Sequence, residues 1–245
     1  YIARLGGHPE QALACFGRAQ AAMAVAGDRT GQAYLMWNFG LTHREQGRFA
    51  DARVRLEQAL DGFQATGDHH YAAWALRSLG MLHQDLGQAE PAVACFQAAL
   101  QVLTDLGDRF GQSLLLQGLG ELEPDRDKAK VLIEEALRLA RELRNQFAEA
   151  RALWSLGGLH HTDGRLQQAE QCLDGSLRLW RKLRMPLYEA RALDRLGLVQ
   201  AASGQPEAAH TTWRQALTIF QAVGAPEAEA VAERLMPSVG GGPGQ

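Results

Sequence analysis

The sequence predicts an all-α protein in which helical hairpins stack side by side into a solenoid, and three observations lead to this fold class. The 245-residue chain is rich in Ala, Leu, Gln, Glu and Arg and contains only 8 Pro. These residues favour helix because they lose little rotamer freedom there. Apolar residues recur at intervals of three and four, which places them on one helical stripe. A pattern of about 40 residues recurs along the chain, and such periods are typical of solenoids.

The repeat contains residues that would let two helices pack closely. Successive copies are 40, 40, 37 and 40 residues apart and start at Gly31, Tyr71, Gly111, Ala148 and Tyr188. The tenth residue of each copy is a Gly that follows an apolar residue: Gly40, Gly80, Gly120, Gly157 and Gly197. Later in each copy come an Ala, a large apolar residue and a small residue, which in the second copy are Ala92, Phe96 and Ala99. We expect the small residues to let paired helices approach while the large one fills the space between them.

The turns between helices are marked by Gly and Pro. A second Gly, such as Gly47, stands where the first helix of a hairpin must stop and the chain reverse. Between hairpins, Gly27-Asp28 and its two equivalents combine a left-handed C-terminal cap with an N-cap for the next helix. The third copy lacks three residues, and Pro124 disfavours helix at Glu123. We therefore expect an early helix end there and a local break in curvature that divides the inner groove into two halves.

These signals divide the chain into a solenoid and a tail. We predict a partial repeat at residues 1–30, full repeats at 31–70, 71–110, 111–147, 148–187 and 188–227, a capping helix at 228–236 and a flexible Gly/Pro tail at 237–245. The chain starts within a helical pattern, which indicates a cut within a longer protein. The incomplete first hairpin leaves Tyr1, Ile2 and Leu5 without full packing, so we expect a homodimer contact at that patch.

Composition excludes several classes of protein. A formal net charge of −3 argues against bulk attraction to nucleic acid or to an anionic membrane. No apolar run approaches the roughly 20 residues of a membrane span, and no signal-peptide pattern is present. Three Cys do not form a disulfide framework in a chain of this size. We therefore predict a cytoplasmic protein with neither nucleic acid nor membrane as a partner.

The chain offers no recognisable catalytic or metal-binding motif. His43, His83 and His160 occupy equivalent repeat positions and are not accompanied by Cys-x2-Cys or His-Glu-x2-His. Gly118-x-Gly120 lies inside a helical repeat, with no preceding strand and no Gly-Lys-Ser/Thr. We predict no enzyme activity, no cofactor and no metal site.

Leu76, Leu79 and Gly80, followed by Ala92, Phe96 and Ala99, resemble the tetratricopeptide repeat. The period of 40 residues, against about 34 in the family, implies longer helices, and His replaces the family Tyr at His43, His83 and His160. The chain is also similar to Leu-Gly-Asn-type polarity adaptors and to the C-terminal regions of bacterial multidomain ATPase regulators. The resemblance implies a right-handed superhelix whose first helices line a concave, partner-binding face.

Carried over position by position, the family's groove residues give a candidate binding set rich in Trp and Arg. The candidates are Tyr34, Trp37, Asn38, Arg44, Trp74, Arg77, Arg151, Trp154, Arg191 and Arg195. Trp and Arg are enriched at binding hot spots, and Arg binds carboxylates bidentately. The predicted partner is therefore a protein or an extended, acidic peptide with apolar residues. The alternative is that Trp37, Trp74 and Trp154 only pack between hairpins.

These observations leave three functional hypotheses. The first is a protein-interaction scaffold that holds a peptide or partner segment in its groove. The second is a regulatory or sensor segment of a larger bacterial signalling or transcription-regulating protein, in contact with that protein's own domains. The third is an RNA reader with one base per repeat, which the acidic balance and the lack of a repeated base-reading pair disfavour.

Overall fold

A computed structural model describes residues 14–15, 17–19, 23 and 27–236, and within 27–236 it is an array of helices. The first four are α1 (Arg29–Glu45), α2 (Phe49–Ala65), α3 (His69–Asp85) and α4 (Ala89–Asp105). They are followed by α5 (Arg109–Leu122), α6 (Arg126–Glu142), α7 (Gln146–Thr162) and α8 (Leu166–Leu183). The last three are α9 (Pro186–Ala202), α10 (Pro206–Val223) and α11 (Glu227–Leu235). Each helix packs on its successor, so the predicted all-α solenoid is confirmed.

The predicted dimer patch at Tyr1, Ile2 and Leu5 and the tail at 237–245 lie outside the described residues. The structure does describe α11, which overlaps the predicted capping segment. Val231 of α11 is fully buried while Glu229 and Glu233 are exposed. This helix therefore covers the last hairpin with one face and presents a charged face to solvent, as a terminal cap must.

Close packing within each hairpin explains the recurring Gly at the tenth repeat position. A Cβ on Gly80 would lie 2.5 Å from Cε1 of Phe96, and one on Gly40 would lie 2.6 Å from Cγ of Leu56. Gly120, Gly157 and Gly197 have the same relation to the large residue of their own hairpin's second helix. The helices approach so closely that no side chain can be accommodated there, as the sequence predicted.

The predicted caps form at the start of the first three hairpins. The Asp28, Asp68 and Asp108 carboxylates each accept a hydrogen bond from a backbone N–H three residues later. The Gly before each Asp has a φ of about 70°, a left-handed conformation that other residues rarely adopt. After α6 and α8 the equivalent positions are Arg144 and Arg184, with φ of 51° and 53°.

The shortened third repeat ends its first helix early, as Pro124 predicted. α5 has 14 residues, against 17 in α3, and stops at Leu122 with Glu123 in an extended conformation. The first helices on either side of this turn, α5 and α7, come closer to each other than other successive first helices do. The deletion of three residues in the third repeat is therefore accompanied by tighter packing between the third and fourth repeats.

Two turns that are distant in sequence, one after α1 and one before α11, come close together. A Cβ on Gly47, in the turn after α1, would lie 3.4 Å from Cγ of Pro226, in the turn before α11. Residues of α1 and α3 consequently face residues of α9 across the concave side.

The cysteines provide a test of the packing of the second helices. Cys15 is exposed, whereas Cys95 and Cys172 are half-buried, and burial raises the pKa of both of these thiols. Because the thiolate is the reactive form, we expect iodoacetamide to modify Cys15 first at mildly alkaline pH, followed slowly by the other two. Mass spectrometry of the peptides, with the urea-unfolded chain as control, measures the order. Equal rates in the folded protein would contradict this packing.

Candidate functional site

Two adjoining cavities lie on the concave side, and mainly first helices of the hairpins line them. The aromatic cavity, of about 410 Å³, is lined by Tyr34, Trp37, Tyr71, Trp74, Arg77, Phe110, Phe147 and Tyr188 with their neighbours. The charged cavity, of about 370 Å³, is lined by Arg44, Asp85, Glu121, Arg151, Trp154, Arg191, Asp194, Arg195 and Glu227 with others. Arg44, Met81 and Tyr188 belong to both walls, so the cavities form one continuous groove.

Helical spacing explains why these side chains converge. Along α3, Tyr71, Trp74, Ser78 and Met81 recur every three or four residues and lie on one stripe facing the aromatic cavity. Along α9, Tyr188, Arg191, Arg195 and Leu198 form the corresponding stripe on the opposite wall. The opposite faces of these helices carry the small residues that pack against the second helices.

The aromatic cavity is built from rings that touch across repeat boundaries. Trp37 and Trp74 have centroids 6.4 Å apart, and Trp74 and Phe110 are 5.5 Å apart. Tyr34 extends the series on the first repeat, 5.6 Å from Trp37, and is 36% exposed. Edge-to-face and tilted ring pairs of this kind stabilise one another while leaving ring surface open to a ligand.

Trp37 takes part in both packing and the groove wall. It packs against buried residues of two core clusters, and its Nε1 donates a 2.8 Å hydrogen bond to Oγ of Ser78 on the next repeat. Trp74 and Trp154 also line cavities while packing against core clusters. The packing and groove interpretations of these tryptophans are thus both partly correct, and ligand contact by them remains a prediction.

The hydrogen bond between Trp37 and Ser78 should contribute measurably to the interface between the first two repeats. We expect Trp37→Phe and Ser78→Ala to couple by about 0.5–1.5 kcal/mol in a double-mutant cycle of unfolding free energies. Ser78 Oγ also donates to the Trp74 carbonyl of its own helix, and the cycle cancels this local contribution. Strict additivity of the two changes would show that the indole N–H is not bonded to Ser78 in solution.

The charged cavity contains arginines that are neutralised within the groove. Arg44 Nε lies 2.6 Å from Oδ2 of Asp85, and Arg191 Nε donates to Oε1 of Glu227 at 2.7 Å. Asp194 forms an ion pair with Arg234 of the capping helix, at 2.5 Å. These pairs join neighbouring elements, so part of the groove's charge has a structural role.

A polar network runs through the shortened turn. Glu121 of α5 accepts hydrogen bonds from Gln84 Nε2 of α3 at 3.0 Å and from Ser155 Oγ of α7 at 2.6 Å. Gln117 donates to Ser155 at 2.8 Å and accepts from Arg151 Nε at 2.9 Å. Glu121 also lines the charged cavity beside residues from both sides of the turn. The charged cavity is therefore continuous across this turn, and the expected break in curvature stays a prediction.

Arg195 and Trp154 form a stacked pair at the other end of the charged cavity. The Arg195 guanidinium carbon lies 3.6 Å from the centroid of the Trp154 ring, and its Nη1 donates to the Trp154 carbonyl at 3.3 Å. Burial lowers the pKa of Arg195, an effect that the charges of Glu121 and Asp194 oppose. A cation over the face of an indole ring is a stabilising arrangement. The Arg195 guanidinium therefore occupies one face of the Trp154 ring.

Arg77 differs from the other groove arginines because its side chain makes no hydrogen bond within the described residues. It is 8% exposed, lines the aromatic cavity and lies 5.5 Å from the Trp74 ring centroid. No carboxylate oxygen lies within 4.0 Å of its guanidinium nitrogens in that part of the chain. Burial, followed by repulsion from Arg151, lowers the pKa of Arg77 to about 9. The guanidinium therefore remains charged near neutral pH.

Nine of the ten predicted site residues line one of the two cavities, namely Tyr34, Trp37, Arg44, Trp74, Arg77, Arg151, Trp154, Arg191 and Arg195. The exception is Asn38, which is 2% exposed and lines neither cavity. Its Nδ2 donates to the Tyr34 carbonyl of its own helix at 2.9 Å. The structure therefore does not support a direct contact between Asn38 and a ligand.

Several residues of the cavity walls were not among the predicted site residues. The missed aromatic residues are Tyr71, Phe110, Phe147 and Tyr188, and the missed acids are Asp85, Glu121 and Glu227. The aromatic residues stand at or just before the start of a repeat, one helical turn ahead of the predicted groove positions. Extending each stripe by three residues towards the N-terminus would have found Tyr71 and Tyr188.

Comparison with known proteins identifies the class of this chain. A family model described as the tetratricopeptide repeat matches residues 2–65, 32–105 and 148–222, and the chain belongs to this family. No curated protein is similar enough to match the chain. Among the residues that the structure describes, no helix has the length and apolar character needed to cross a membrane.

Several solved structures share the fold at low sequence identity. NprR in complex with its cognate peptide NprX is 16% identical, with a TM-score of 0.71 over 92% of this chain and 72% of that one. A Rap protein complexed with Competence and Sporulation Factor is 14% identical, with a TM-score of 0.66 over 90% and 67%. A signal transduction ATPase with a tetratricopeptide repeat sensor from Pyrococcus horikoshii is 16% identical, with a TM-score of 0.58 over 94% and 36%.

Proposed function

We propose that the chain is a non-catalytic protein-interaction domain that binds an extended peptide, or an extended segment of a partner protein, inside its concave groove. The observation that carries this proposal is the aromatic cavity. Its rings lie along a continuous groove and are half-buried rather than fully packed, with Tyr34 36% exposed. A row of ring surfaces with spaced polar groups suits successive side chains of an extended peptide.

Two of the similar folds support a peptide as the ligand class. NprR was solved in complex with its cognate peptide, and the Rap protein with Competence and Sporulation Factor. We expect a preference for acidic peptides because several arginines line the groove. We place the protein in the cytoplasm and propose no nucleic-acid partner, in keeping with its net charge of −3.

The second candidate function is a sensor segment whose ligand belongs to its own parent protein. The observation that favours it is the likeness to a signal transduction ATPase with a repeat sensor, of which this chain spans only about a third. If the chain is a sensor segment, its groove or its convex side contacts another domain of the same polypeptide. Competition between a separately produced parent domain and a groove-bound peptide distinguishes the two candidates.

The proposal is tested by selecting short extended peptides from a displayed library on the purified domain. Selected peptides are then titrated against the wild type, against Tyr34→Ser in the groove and against Val131→Ser on α6. Val131 is the matched control, since it is 64% exposed and lies outside both cavities. We expect peptides whose binding weakens in Tyr34→Ser and is unchanged in Val131→Ser. Failure to enrich any peptide, or equal loss in both variants, would refute groove binding.

A further inference from the structure

The turns that follow α6 and α8 contain an arginine where other hairpins have a glycine. Arg144 and Arg184 have φ of 51° and 53°, in the left-handed region that favours glycine. After α2, α4 and α10 the equivalent residues are Gly67, Gly107 and Gly224. An arginine is strained in this conformation, and strain of this kind is concentrated at functional sites. The two side chains are therefore candidates for a role outside the fold.

The two arginines belong to a basic edge, which we define as Arg144, Arg178, Lys182 and Arg184. All four side chains are exposed. In the part of the chain that the structure describes, none of these side chains makes a hydrogen bond, and no carboxylate oxygen lies within 4.0 Å of their nitrogens. Their neighbours Arg141 and Arg181, in contrast, form ion pairs with Glu149 and Glu189. The four cations of the basic edge can therefore meet an external anion.

The basic edge is confined to two neighbouring hairpins. The last turns of α2, α4 and α10 contain no basic residue, whereas those of α6 and α8 contain Arg141, Arg181 and Lys182. A cation near a helix C-terminus interacts favourably with the helix dipole, but this effect applies equally to every second helix. It does not explain why the cations occur in only two of them. A surface for one partner accounts for the restriction.

Apolar side chains accompany the cations along the same side of the solenoid. Leu143 precedes Arg144, Leu183 precedes Arg184, and Leu106 has the same place before Gly107. Leu106 is 52% exposed and Leu143 is 38% exposed, while Leu183 is half-buried. Because the second helices of a solenoid stack in one orientation, their C-terminal ends lie along one edge. Cations and apolar side chains therefore share this edge.

The basic edge borders the groove without belonging to it. None of its four residues lines the aromatic or the charged cavity. Asn145 and Met185, which follow Arg144 and Arg184 in the chain, do line the aromatic cavity. A ligand of the basic edge is therefore distinct from a peptide held in the groove.

We propose that the basic edge is a docking surface for an acidic, amphipathic helix of a partner protein. Its cations pair with carboxylates of the partner helix, and Leu106 and Leu143 contact the apolar side chains of that helix. Packed neighbouring helices lie about 8–10 Å apart, so the ends of α6 and α8, with α7 between them, are at most about 20 Å apart. A partner helix of about four turns, at roughly 5.4 Å per turn, reaches both.

A protein helix suits this edge better than a nucleic acid or a membrane does. The formal net charge of the chain is −3, so the surface outside the basic edge repels a long or extended polyanion. A short helix contacts the edge alone and avoids this repulsion. The exposed leucines also have a natural counterpart in the apolar side chains of an amphipathic helix, whereas a phosphate backbone offers none.

The first test titrates a fluorescein-labelled helical peptide, with Glu and Leu on one face and Ala elsewhere, by fluorescence anisotropy at low salt. A form with Gln in place of Glu is the uncharged counterpart and should bind weakly. We expect Arg144→Gly/Arg184→Gly to bind the Glu peptide about 3- to 30-fold more weakly than the wild type, as for the loss of two exposed ion pairs. Arg178→Gln/Lys182→Gln, which leaves both turns unchanged, should weaken binding by a similar factor.

The matched control removes two exposed arginines from other second helices. Arg53→Gln/Arg214→Gln changes the net charge by the same amount and should bind the Glu peptide as the wild type does. Equal weakening in this control would show a response to net charge alone and would overturn the docking surface. So would failure of the wild type to bind the Glu peptide.

Thermal unfolding separates binding from folding. Because glycine suits the left-handed turns, Arg144→Gly/Arg184→Gly should unfold at the same or a higher temperature than the wild type. A lower unfolding temperature with unchanged affinity for the Glu peptide would assign the arginines a structural role and overturn the proposal.

Two further probes and one groove variant identify the partner and the place of binding. A 16-nucleotide oligothymidylate and vesicles of phosphatidylserine with phosphatidylcholine are titrated under the same conditions. If either bound more tightly than the Glu peptide and lost binding in the glycine variant, the edge would be a phosphate-binding surface and the protein partner would be wrong. Tyr34→Ser should leave binding of the Glu peptide unchanged, and a loss there would place the peptide in the groove instead. Binding of the Glu peptide without enrichment of any extended peptide would support this inference and contradict the proposed function.

Discussion

Replacing Gly80 by Leu is expected to lower the free energy of unfolding by about 1–3 kcal/mol, the typical cost of overpacking. The position has no room for a side chain, because a Cβ there would lie 2.5 Å from the Phe96 ring and 3.2 Å from the Ala92 carbonyl oxygen. Phe96 is 2% exposed and cannot move into solvent. The helices α3 and α4 must therefore separate, and the neighbouring hairpins lose contact with them. Chemical denaturation followed by circular dichroism measures the change.

The matched control for this prediction is Gly17→Ala. Gly17 is an exposed helical residue, and a Cβ there would meet nothing within 4 Å. Ala in place of Gly within a helix stabilises by roughly 0.5–1 kcal/mol, so the two substitutions should act in opposite directions. A Gly80→Leu protein with an unchanged unfolding midpoint would show that the assigned helix pairing is incorrect.

Replacing Trp37 by Ala is expected to weaken binding of a groove peptide by about 2 kcal/mol, close to 30-fold, as for an aromatic hot spot. The indole forms part of the aromatic cavity and contacts Tyr34, Tyr71 and Trp74. The same change removes packing from the first two repeats, so the unfolding free energy should fall as well. Titration of a selected peptide by fluorescence anisotropy, on protein shown to be folded, measures the affinity.

Tyr34→Ser and Ser78→Ala separate these two effects of Trp37. Tyr34 is 36% exposed, so its replacement should reduce affinity with little loss of stability. Ser78→Ala removes the hydrogen bond to the indole but leaves the ring in place, so it should lower stability with little loss of affinity. If Trp37→Ala and Ser78→Ala reduced affinity equally, the ring itself would not contact the peptide.

The elements that could be predicted from the sequence are those set by short-range packing. The spacing from Gly80 to Phe96 identified a helical hairpin because a missing side chain must face a large one. Asp28 and its equivalents identified helix starts because the carboxylate caps a backbone N–H three residues later. Pro124 located the early end of α5 for an equally local reason. Such signals need no knowledge of how successive hairpins are rotated.

The features that could not be predicted depend on rotations that accumulate over several repeats. The contact between the turns at Gly47 and Pro226 depends on the rotations of all the hairpins between them. The same rotations bring Tyr188 into one cavity with Trp37 and Trp74. Asn38 was assigned to the groove by family position, yet its helix turns that side chain into the interior. The surroundings of Arg77 likewise depend on which side chains the neighbouring repeats bring beside it.

Hydrogen–deuterium exchange of the domain with and without a selected peptide tests groove binding most directly. Because the first helices of the hairpins line the cavities, we expect added protection in α1, α3, α5, α7 and α9. The convex helices α2, α4, α6 and α8 should change little. Protection confined to the convex helices, or none in α3 and α9, would contradict the assignment of the concave face as the binding surface.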